Sequence, residues 1–338
     1  MNRTVVACSL FAATLAFATS ATAQSAAARR FLPQGYKTVL NVDFAKVRTC
    51  GVWDDLEASL LKSVFRRLKA VLGSPVEHID QITMVFEVPE EAAARGRAHN
   101  VLAIDGNAPL GTPDDATTWS VEQKEGRVVR RQGDDVLVLL ADKLLVRGEP
   151  ALVDRGLAED GKQGLPDPEV MSLLTGRGDR LVSMVFDLAN REIGGNFRRQ
   201  LFPEAEWPAD DEPRALALQV RCHGDADDPQ LELLATLRHG RAGKGLDVTA
   251  EQGQRWLAKL SEIPQLRGIK KQLAAVEAKR EGTDFIARLA LGRSREAVGT
   301  FAVIMAAMLQ GTPLGESHQV EREPPPPPQL PRAEAEPK

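Results

Sequence analysis

Apolar residues in the first part of the chain alternate between strand-like and helix-like spacing. Residues 39–45 (VLNVDFA) form an apolar run that ends in Asp-apolar-Ala. The segments 82–88 and 101–105 predict two further strands, and the short polar stretch between them favours antiparallel pairing. Between the first strand and these two, three- and four-residue steps predict an amphipathic helix of about five turns, with apolar positions Trp53, Leu56, Leu60, Val64, Leu68 and Val71.

The same landmarks return 144 residues later. Residues 183–189 (SMVFDLA) match the first strand, so Asp43 and Asp187 occupy equivalent positions. Residues 144–148 end in glycine before a helical pattern, and residues 288–292 do so at the same offset. Two matches at one offset favour an internal repeat. A coincidence among generic α+β patterns is the alternative.

The second copy predicts its own strands and helices. Residues 215–221 and 231–237 flank the polar turn HGDADDPQ. Leu216, Leu218 and Val220 alternate with Ala217, Gln219 and Arg221, which is the period-2 pattern of a half-buried strand. The sequence Thr249-Ala-Glu-Gln252 resembles a capping box, which predicts a helix from there to Val276 with a kink near Pro264. Residues 297–309 carry no charge and predict a final helix in the core or between the copies.

These elements predict an α+β protein made of two similar units, each an antiparallel sheet with helices packed on one face. The units span residues 24–165 and 176–314, with a Gly- and Pro-rich boundary at 161–179. Residues 315–338 predict a disordered tail, in which Pro324 to Pro328 favour an extended polyproline II rod. The tail is interpreted as a solvated segment, with a spacer or a ligand for an aromatic groove as the alternative.

The amino-terminal segment predicts export. Arg3 precedes an uncharged apolar stretch at 5–17, and Ala21-Thr22-Ala23 forms a signal-peptidase pattern. We therefore expect residues 1–23 to be a signal peptide, cleaved after Ala23, and a secreted or periplasmic mature chain. A membrane anchor needs a longer run, and a lipoprotein reading at Cys8 lacks an apolar region before the cysteine.

Composition excludes some classes of partner. Lys and Arg number 43 against 47 Asp and Glu, for a net charge of -4, which offers no basic surface for nucleic acid. Aromatic residues are 5% of the chain, too few for extended base or sugar stacking. After signal cleavage no remaining stretch predicts a transmembrane segment. With nucleic acid excluded, the expected partner is an envelope protein or a ligand of unknown identity.

Motifs for catalysis or cofactor binding are missing from the sequence. The glycines at 240–245 have the wrong spacing for a phosphate loop, and the five histidines are scattered without zinc-ligand spacing. Asp225, Asp227 and Asp228 share one turn but lack the distal Glu of a calcium loop. No catalytic, cofactor-binding or metal residue and no cofactor is predicted. Asp43 and Asp187 are either a carboxylate pair of an unrecognised hydrolase or local caps, and capping is favoured.

Two cysteines follow the signal segment, and an exported compartment permits a disulfide between them. Cys50 and Cys222 lie in different copies, so a bond would close a loop of about 170 residues. The alternative is a buried strand thiol at Cys222 and a separate turn thiol at Cys50. The sequence leaves both open.

The opening of the mature chain resembles a broad group of exported bacterial α+β proteins without established activity. The resemblance is carried by Phe31-Leu-Pro33, the strand at 39–43 and His78-Ile79-Asp80. It covers residues 31–105 and, more weakly, 180–240, and it implies no catalytic residues. Two functional hypotheses follow: a non-catalytic envelope protein that binds a partner or ligand, and a hydrolase that uses acidic residues such as Asp43 and Asp187.

Overall fold

The structure is a computed structural model. It describes residues 31, 37–53, 66, 69, 73–87, 99–110, 119–124, 126–158, 173–174, 179–189, 193–195, 197–198, 202, 204–208, 210–223, 227–260 and 274–292. The predicted signal peptide, most of the first long helix, the final uncharged helix and the Pro-rich tail lie outside the described residues, as do most of the predicted unit boundary and Asp225.

The described strands form one twelve-stranded sheet in which every neighbouring pair is antiparallel. The strands are β1 (Thr38–Asp43), β2 (Ile79–Glu87), β3 (His99–Gly106), β4 (Ser120–Lys124), β5 (Arg127–Gln132), β6 (Asp135–Ala141), β7 (Leu144–Gly148), β8 (Arg180–Asp187), β9 (Pro213–His223), β10 (Gln230–His239), β11 (Glu277–Glu281) and β12 (Asp284–Gly292). Their spatial order is β11-β12-β10-β9-β8-β1-β2-β3-β7-β6-β5-β4. The mixed α+β class is therefore correct.

The expectation of two separate sheets is wrong, because β1 pairs with β8 at the centre of one continuous sheet. Thr38 lies opposite Phe186 and Val42 opposite Val182. The first five residues of β1 are all buried. A strand that is buried on both faces and paired along both edges lies in the interior of a sheet, and β1 is such a strand.

The two faces of the sheet carry separate cores. Face A is the side to which Leu40 points, and face B is the side to which Val39 points. Because partners in a register share a face, Met84 and Leu102 lie on face A while Val85 and Val101 lie on face B. These residues sort into two different buried clusters, and a third cluster lies on face A near Leu237 and Phe285.

Helices cover both faces, which differs from the one-face packing expected. Within the described residues the α-helices with defined bounds are α1 (Phe44–Thr49), α2 (Pro150–Ala158) and α3 (Lys244–Leu260), with a 3₁₀ turn at Val76–His78. Phe44 and Val47 of α1 join the face A core, whereas Leu152 and Val153 of α2 join the face B core. An antiparallel sheet with apolar residues on both faces needs cover on both.

Strand β9 differs from the half-buried strand that its alternation predicts, because both of its faces contain buried residues. On face A, Val220 is buried and Leu216 and Leu218 are half-buried, while Ala217 and Gln219 on face B are buried. The small Ala217 leaves room for residues 173–174 to pack on face B. Gln219 Nε2 donates to the Leu173 carbonyl oxygen at 2.6 Å, which satisfies this buried amide.

Helix α3 begins at Lys244, five residues before the predicted capping box. The Asp211 carboxylate supplies the cap from a distant position, since its Oδ2 accepts from the Gly245 backbone N–H at 2.8 Å. An anionic side chain at a helix amino terminus satisfies an otherwise unpaired N–H and complements the helix dipole. Thr249 therefore lies inside the helix, and its hydroxyl makes hydrogen bonds other than a helix cap.

Candidate functional site

The candidate site is a row of partly exposed apolar side chains on face A. Met184, Leu218, Ala235 and Ala287 lie directly opposite one another across β8, β9, β10 and β12. All four are half-buried, although the strands that carry them are interior strands of the sheet. We call this row the apolar strip.

Side-chain clusters bound the apolar strip on both sides. On one side of the strip, two positions along the strands, lie Val220 and Leu289 of the first face A cluster. On the other side, at the same spacing, lie Leu237 and Phe285 of the third cluster. Leu218, Ala235 and Ala287 belong to none of the three clusters of described residues. Among the described residues, the strip therefore lies between two packed regions, with Met184 packed against the first of them.

The dimensions of the apolar strip follow from sheet geometry. Four adjacent strands place its ends about 14 Å apart, and the bounding rows lie about 7 Å away on either side along the strands. Ala235 and Ala287 have small side chains, so the floor is lower at the β12 end than at Met184. An elongated apolar group lying across the strands would match the length and apolar character of the strip.

The two aspartates singled out in the sequence lie at opposite ends of the central strand pair. Asp43 ends β1, and Asp187 ends β8 beyond the residue that faces Thr38. Six residue positions along an antiparallel pair separate them by about 20 Å. The structure therefore does not bring Asp43 and Asp187 together.

Both aspartates act in local backbone hydrogen bonding. Asp43 Oδ1 accepts from the Lys46 N–H at 2.9 Å, and its Oδ2 lies 3.2 Å from Lys46 Nζ, which caps α1. Asp187 Oδ1 accepts from the Ala189 N–H at 3.0 Å, which makes an Asx turn. The favoured capping interpretation describes both contacts.

The Asp-rich turn after β9 gives no metal geometry in the described residues. Asp225 lies outside them, and Asp228 Oδ1 accepts from Gln230 Nε2 at 3.1 Å. Within the described part of the chain, no group of three or more His, Cys, Asp or Glu side chains is placed to hold a metal ion.

A buried polar relay joins Trp207, Thr249, His239 and Asp211. His239 Nδ1 lies 3.0 Å from the Asp211 carbonyl oxygen and its Nε2 lies 2.9 Å from Thr249 Oγ1. Trp207 Nε1 donates to the same hydroxyl at 2.8 Å. The hydroxyl then donates to Nε2, and Nδ1–H donates to the carbonyl, so each group is satisfied with a neutral imidazole.

Sequence reasoning missed this relay, and its residue types resemble a nucleophile, a base and an acid. The burial of the relay argues against nucleophilic catalysis, because Thr249 is 0% exposed and His239 is 1% exposed, so a substrate does not reach them. Burial also lowers the pKa of His239. A neutral, fully bonded histidine of this kind holds α3 against β10.

A second histidine, His223, stands at the exposed end of β9 between two carboxylates. Its Nδ1 is 3.4 Å from Asp179 Oδ2, and its Nε2 is 3.3 Å from Glu232 Oε2. Arg288 Nε lies 3.1 Å from Glu232 Oε1, so the acids are partly neutralised by neighbouring cations. This group is a surface charge cluster on the opposite face from the apolar strip.

Comparisons with known proteins found only a weak similarity in fold. No protein-family model matches the chain, and no curated protein matches it. Crystal form III of TP0453 is similar with a TM-score of 0.46 and 14% identity, over 82% of this chain and 97% of that one. Crystal form I of TP0453 has a TM-score of 0.46 and 13% identity, over 82% and 96%. Among the described residues, none of the helices is long and apolar enough to cross a membrane.

Proposed function

We propose that this chain is an exported, non-catalytic binding protein of the bacterial envelope. Its binding site is the apolar strip, and its ligand is an apolar segment of a partner protein. The observation that carries the proposal is the half-buried state of Met184, Leu218, Ala235 and Ala287 in the interior of the sheet. Export rests on the Arg3 to Ala23 pattern of the sequence.

The chemistry of the apolar strip sets the chemistry of its ligand. Its floor consists of aliphatic and thioether side chains, so a ligand gains chiefly by removing apolar surface from water. Met184 adds a flexible thioether that adapts to irregular shapes. A strip about 14 Å long accommodates a few apolar side chains of an extended or helical segment.

A duplicated architecture supports a broad binding surface. Outward from the central pair, the sheet continues β2-β3-β7-β6 on one side and β9-β10-β12-β11 on the other. Asp43 and Asp187 end the two central strands, and Gly148 and Gly292 end β7 and β12 at the same offset. We propose two related units that share one sheet, with the hairpin β4–β5 added to the first.

Hydrolysis by Asp43 and Asp187 is the weaker alternative. Two carboxylates that act on one glycosidic bond lie within about 10 Å of each other, and these two are about 20 Å apart. Each also accepts a backbone N–H as a cap. The relay at His239 is sealed from substrate. No observation in the described residues favours a catalytic site over the apolar strip.

Site-specific photocrosslinking tests the apolar strip. A photoreactive residue replaces Leu218 in the full chain in intact cells, and a second chain carries it at Val121, an exposed residue of edge strand β4. We expect one discrete protein adduct at position 218 that is missing at position 121. The adduct must also fall strongly when Ala235→Trp fills the strip, whereas Ala290→Trp on exposed surface leaves it unchanged.

Three outcomes contradict the proposal. The first is equal adduct yield with Ala235→Trp and Ala290→Trp, which would mean that the apolar strip is not the contact. The second is a lipid adduct in place of a protein adduct, which would replace the proposed partner by a lipid. The third is turnover of an esterase, phosphatase, glycosidase or peptidase substrate that disappears in folded Asp43→Asn or Asp187→Asn.

A further inference from the structure

Two half-buried cysteines meet where α1 ends beside β9. Cys50 follows α1, and its backbone N–H donates to the Lys46 carbonyl oxygen at 2.9 Å. Cys222 is the tenth residue of β9, and its N–H donates to the Asp179 carbonyl oxygen at 3.0 Å. Cys222 Sγ lies 3.7 Å from the Cys50 carbonyl oxygen, so the Cys222 side chain packs directly against Cys50.

We propose that Cys50 and Cys222 form a reversible disulfide that ties the first half of the chain to the second. A disulfide first requires that the two residues lie close together, and the 3.7 Å contact from Cys222 Sγ to the Cys50 backbone meets that requirement. Both backbones are held by hydrogen bonds, so the contact is a stable feature of the fold. The residues are 172 positions apart, with Cys50 in the first half of the chain and Cys222 in the second.

The two sulfurs have different chemical roles. The pKa of the Cys50 thiol is lowered, chiefly by the neighbouring Cys222 side chain, and this effect outweighs that of burial. The pKa of the Cys222 thiol is raised, first by the neighbouring Cys50 side chain and then by burial. Cys50 is therefore the attacking thiolate, and Cys222 is the resolving thiol.

The reaction requires a disulfide oxidant of the glutathione disulfide class. The Cys50 thiolate attacks one oxidant sulfur, the oxidant S–S bond breaks, and one thiolate leaves with the electron pair. Cys222 then loses its proton to solvent and attacks the Cys50 sulfur of this mixed disulfide. The second oxidant thiolate leaves with its electron pair. The protein loses two protons and two electrons, and the oxidant becomes two thiols.

The bond would add a covalent connection across the middle of the sheet. In the described strands the two halves are joined at the β1–β8 pair alone. A disulfide constrains the unfolded chain most when it closes a long loop, and this loop is long. We expect oxidation to raise the melting temperature by about 5–10 °C relative to the reduced protein.

The experiment uses the full chain with Cys8→Ser, so that Cys50 and Cys222 are the remaining cysteines. Folded protein is incubated with glutathione disulfide or with dithiothreitol, denatured, alkylated and mapped by mass spectrometry. We expect a linked pair of peptides containing Cys50 and Cys222 after oxidation and two alkylated cysteines after reduction. In limited alkylation of the reduced folded protein, Cys50 reacts before Cys222.

Control variants separate the disulfide from a general effect of oxidant. Cys50→Ser and Cys222→Ser each keep a folded melting transition, and their melting temperatures no longer respond to the redox state. The proposal is overturned if folded protein keeps two alkylatable thiols in oxidant, if oxidation stops at a glutathione adduct on either cysteine, or if it links two chains. Equal melting temperatures for the linked and the reduced protein would overturn the stabilising role.

Discussion

Removing the Thr249 hydroxyl tests the buried relay. Thr249→Val keeps the shape of the side chain but deletes the group between Trp207 Nε1 and His239 Nε2. The His239 side chain has no exposure, so its Nε2 is left without a partner at a cost of about 1–3 kcal/mol. Trp207 is only partly buried, and its N–H recovers some hydration. We expect a total loss of about 3 kcal/mol in the free energy of unfolding.

Thr249→Ser is the matched control. It keeps the hydroxyl and removes one buried methyl group, which costs about 1 kcal/mol. Urea unfolding at pH 7.5, followed by circular dichroism, gives both free energies. The valine variant loses the hydrogen bonds and the serine variant loses only a methyl group, so we expect the valine variant to be the less stable of the two by about 2 kcal/mol.

A double-mutant cycle with Trp207→Phe sharpens the test. In that background the indole N–H is missing, so Thr249→Val leaves one orphaned group instead of two. The cost of Thr249→Val should then fall by about 1 kcal/mol. A valine variant as stable as the serine variant, or a cost unaffected by Trp207→Phe, would refute the relay as a stabilising unit.

Three further predictions follow from the fold. First, burial lowers the pKa of His239 below its ordinary 6.5, so the histidine takes up a proton more readily in the unfolded chain than in the folded one. The contribution of neutral His239 to the free energy of unfolding is therefore complete above pH 6.5 and is lost as the pH falls below it. The melting temperature should drop towards pH 5, and it should drop less in His239→Asn. Second, Gly245→Ala should destabilise despite the higher helix propensity of alanine, since a Cβ there would lie 1.9 Å from the Asp211 carbonyl oxygen; chemical denaturation measures it, and a neutral or stabilising effect would contradict the close approach. Third, amino-terminal sequencing of the exported chain should begin at Gln24, and retention of the apolar segment would contradict export with cleavage.

Several strand positions could be predicted from the sequence because those strands carry a clear apolar pattern, whereas β4 (SVEQK) and β11 (EAKRE) carry none. The runs around Asp43 and Asp187 predicted strands, and the structure places β1 and β8 there. Their mutual pairing could not be predicted, because an apolar run shows that a strand is buried but does not identify its neighbour. The same limit applies to Cys50 and Cys222, whose contact depends on the order of strands between them.

The start of α3 shows why local signals can mislead. Thr249 and Gln252 have the spacing of a capping box, but the helix already begins at Lys244. The actual cap is Asp211, 34 residues earlier in the chain, and the Thr249 hydroxyl is used inside the relay. A long-range cap leaves no periodic signature in the sequence.

The apolar strip lay beyond sequence reasoning for a related reason. Alternation in β9 predicted a half-buried strand, but it could not predict that Ala217 and Gln219 are more deeply buried than Leu216 and Leu218. A side chain in a sheet is buried only where another element packs over it. On face B of β9 that element is residues 173–174, to which Gln219 is hydrogen-bonded through its side-chain amide. The half-buried state of a leucine in an interior strand can therefore be recognised only when the positions of the elements that pack on the sheet are known.

The pairing of β1 with β8 has a consequence for biosynthesis. As the chain emerges, β1 gains its neighbour β2 early, but its other edge waits for β8, about 140 residues later. At roughly 5–20 residues per second, this interval is about 7–28 s. Throughout it, an apolar strand has one row of unpaired N–H and C=O groups, which is the surface that drives aggregation between nascent chains. Chaperone protection of β1 during this interval would thus decide how much of the protein reaches its folded state.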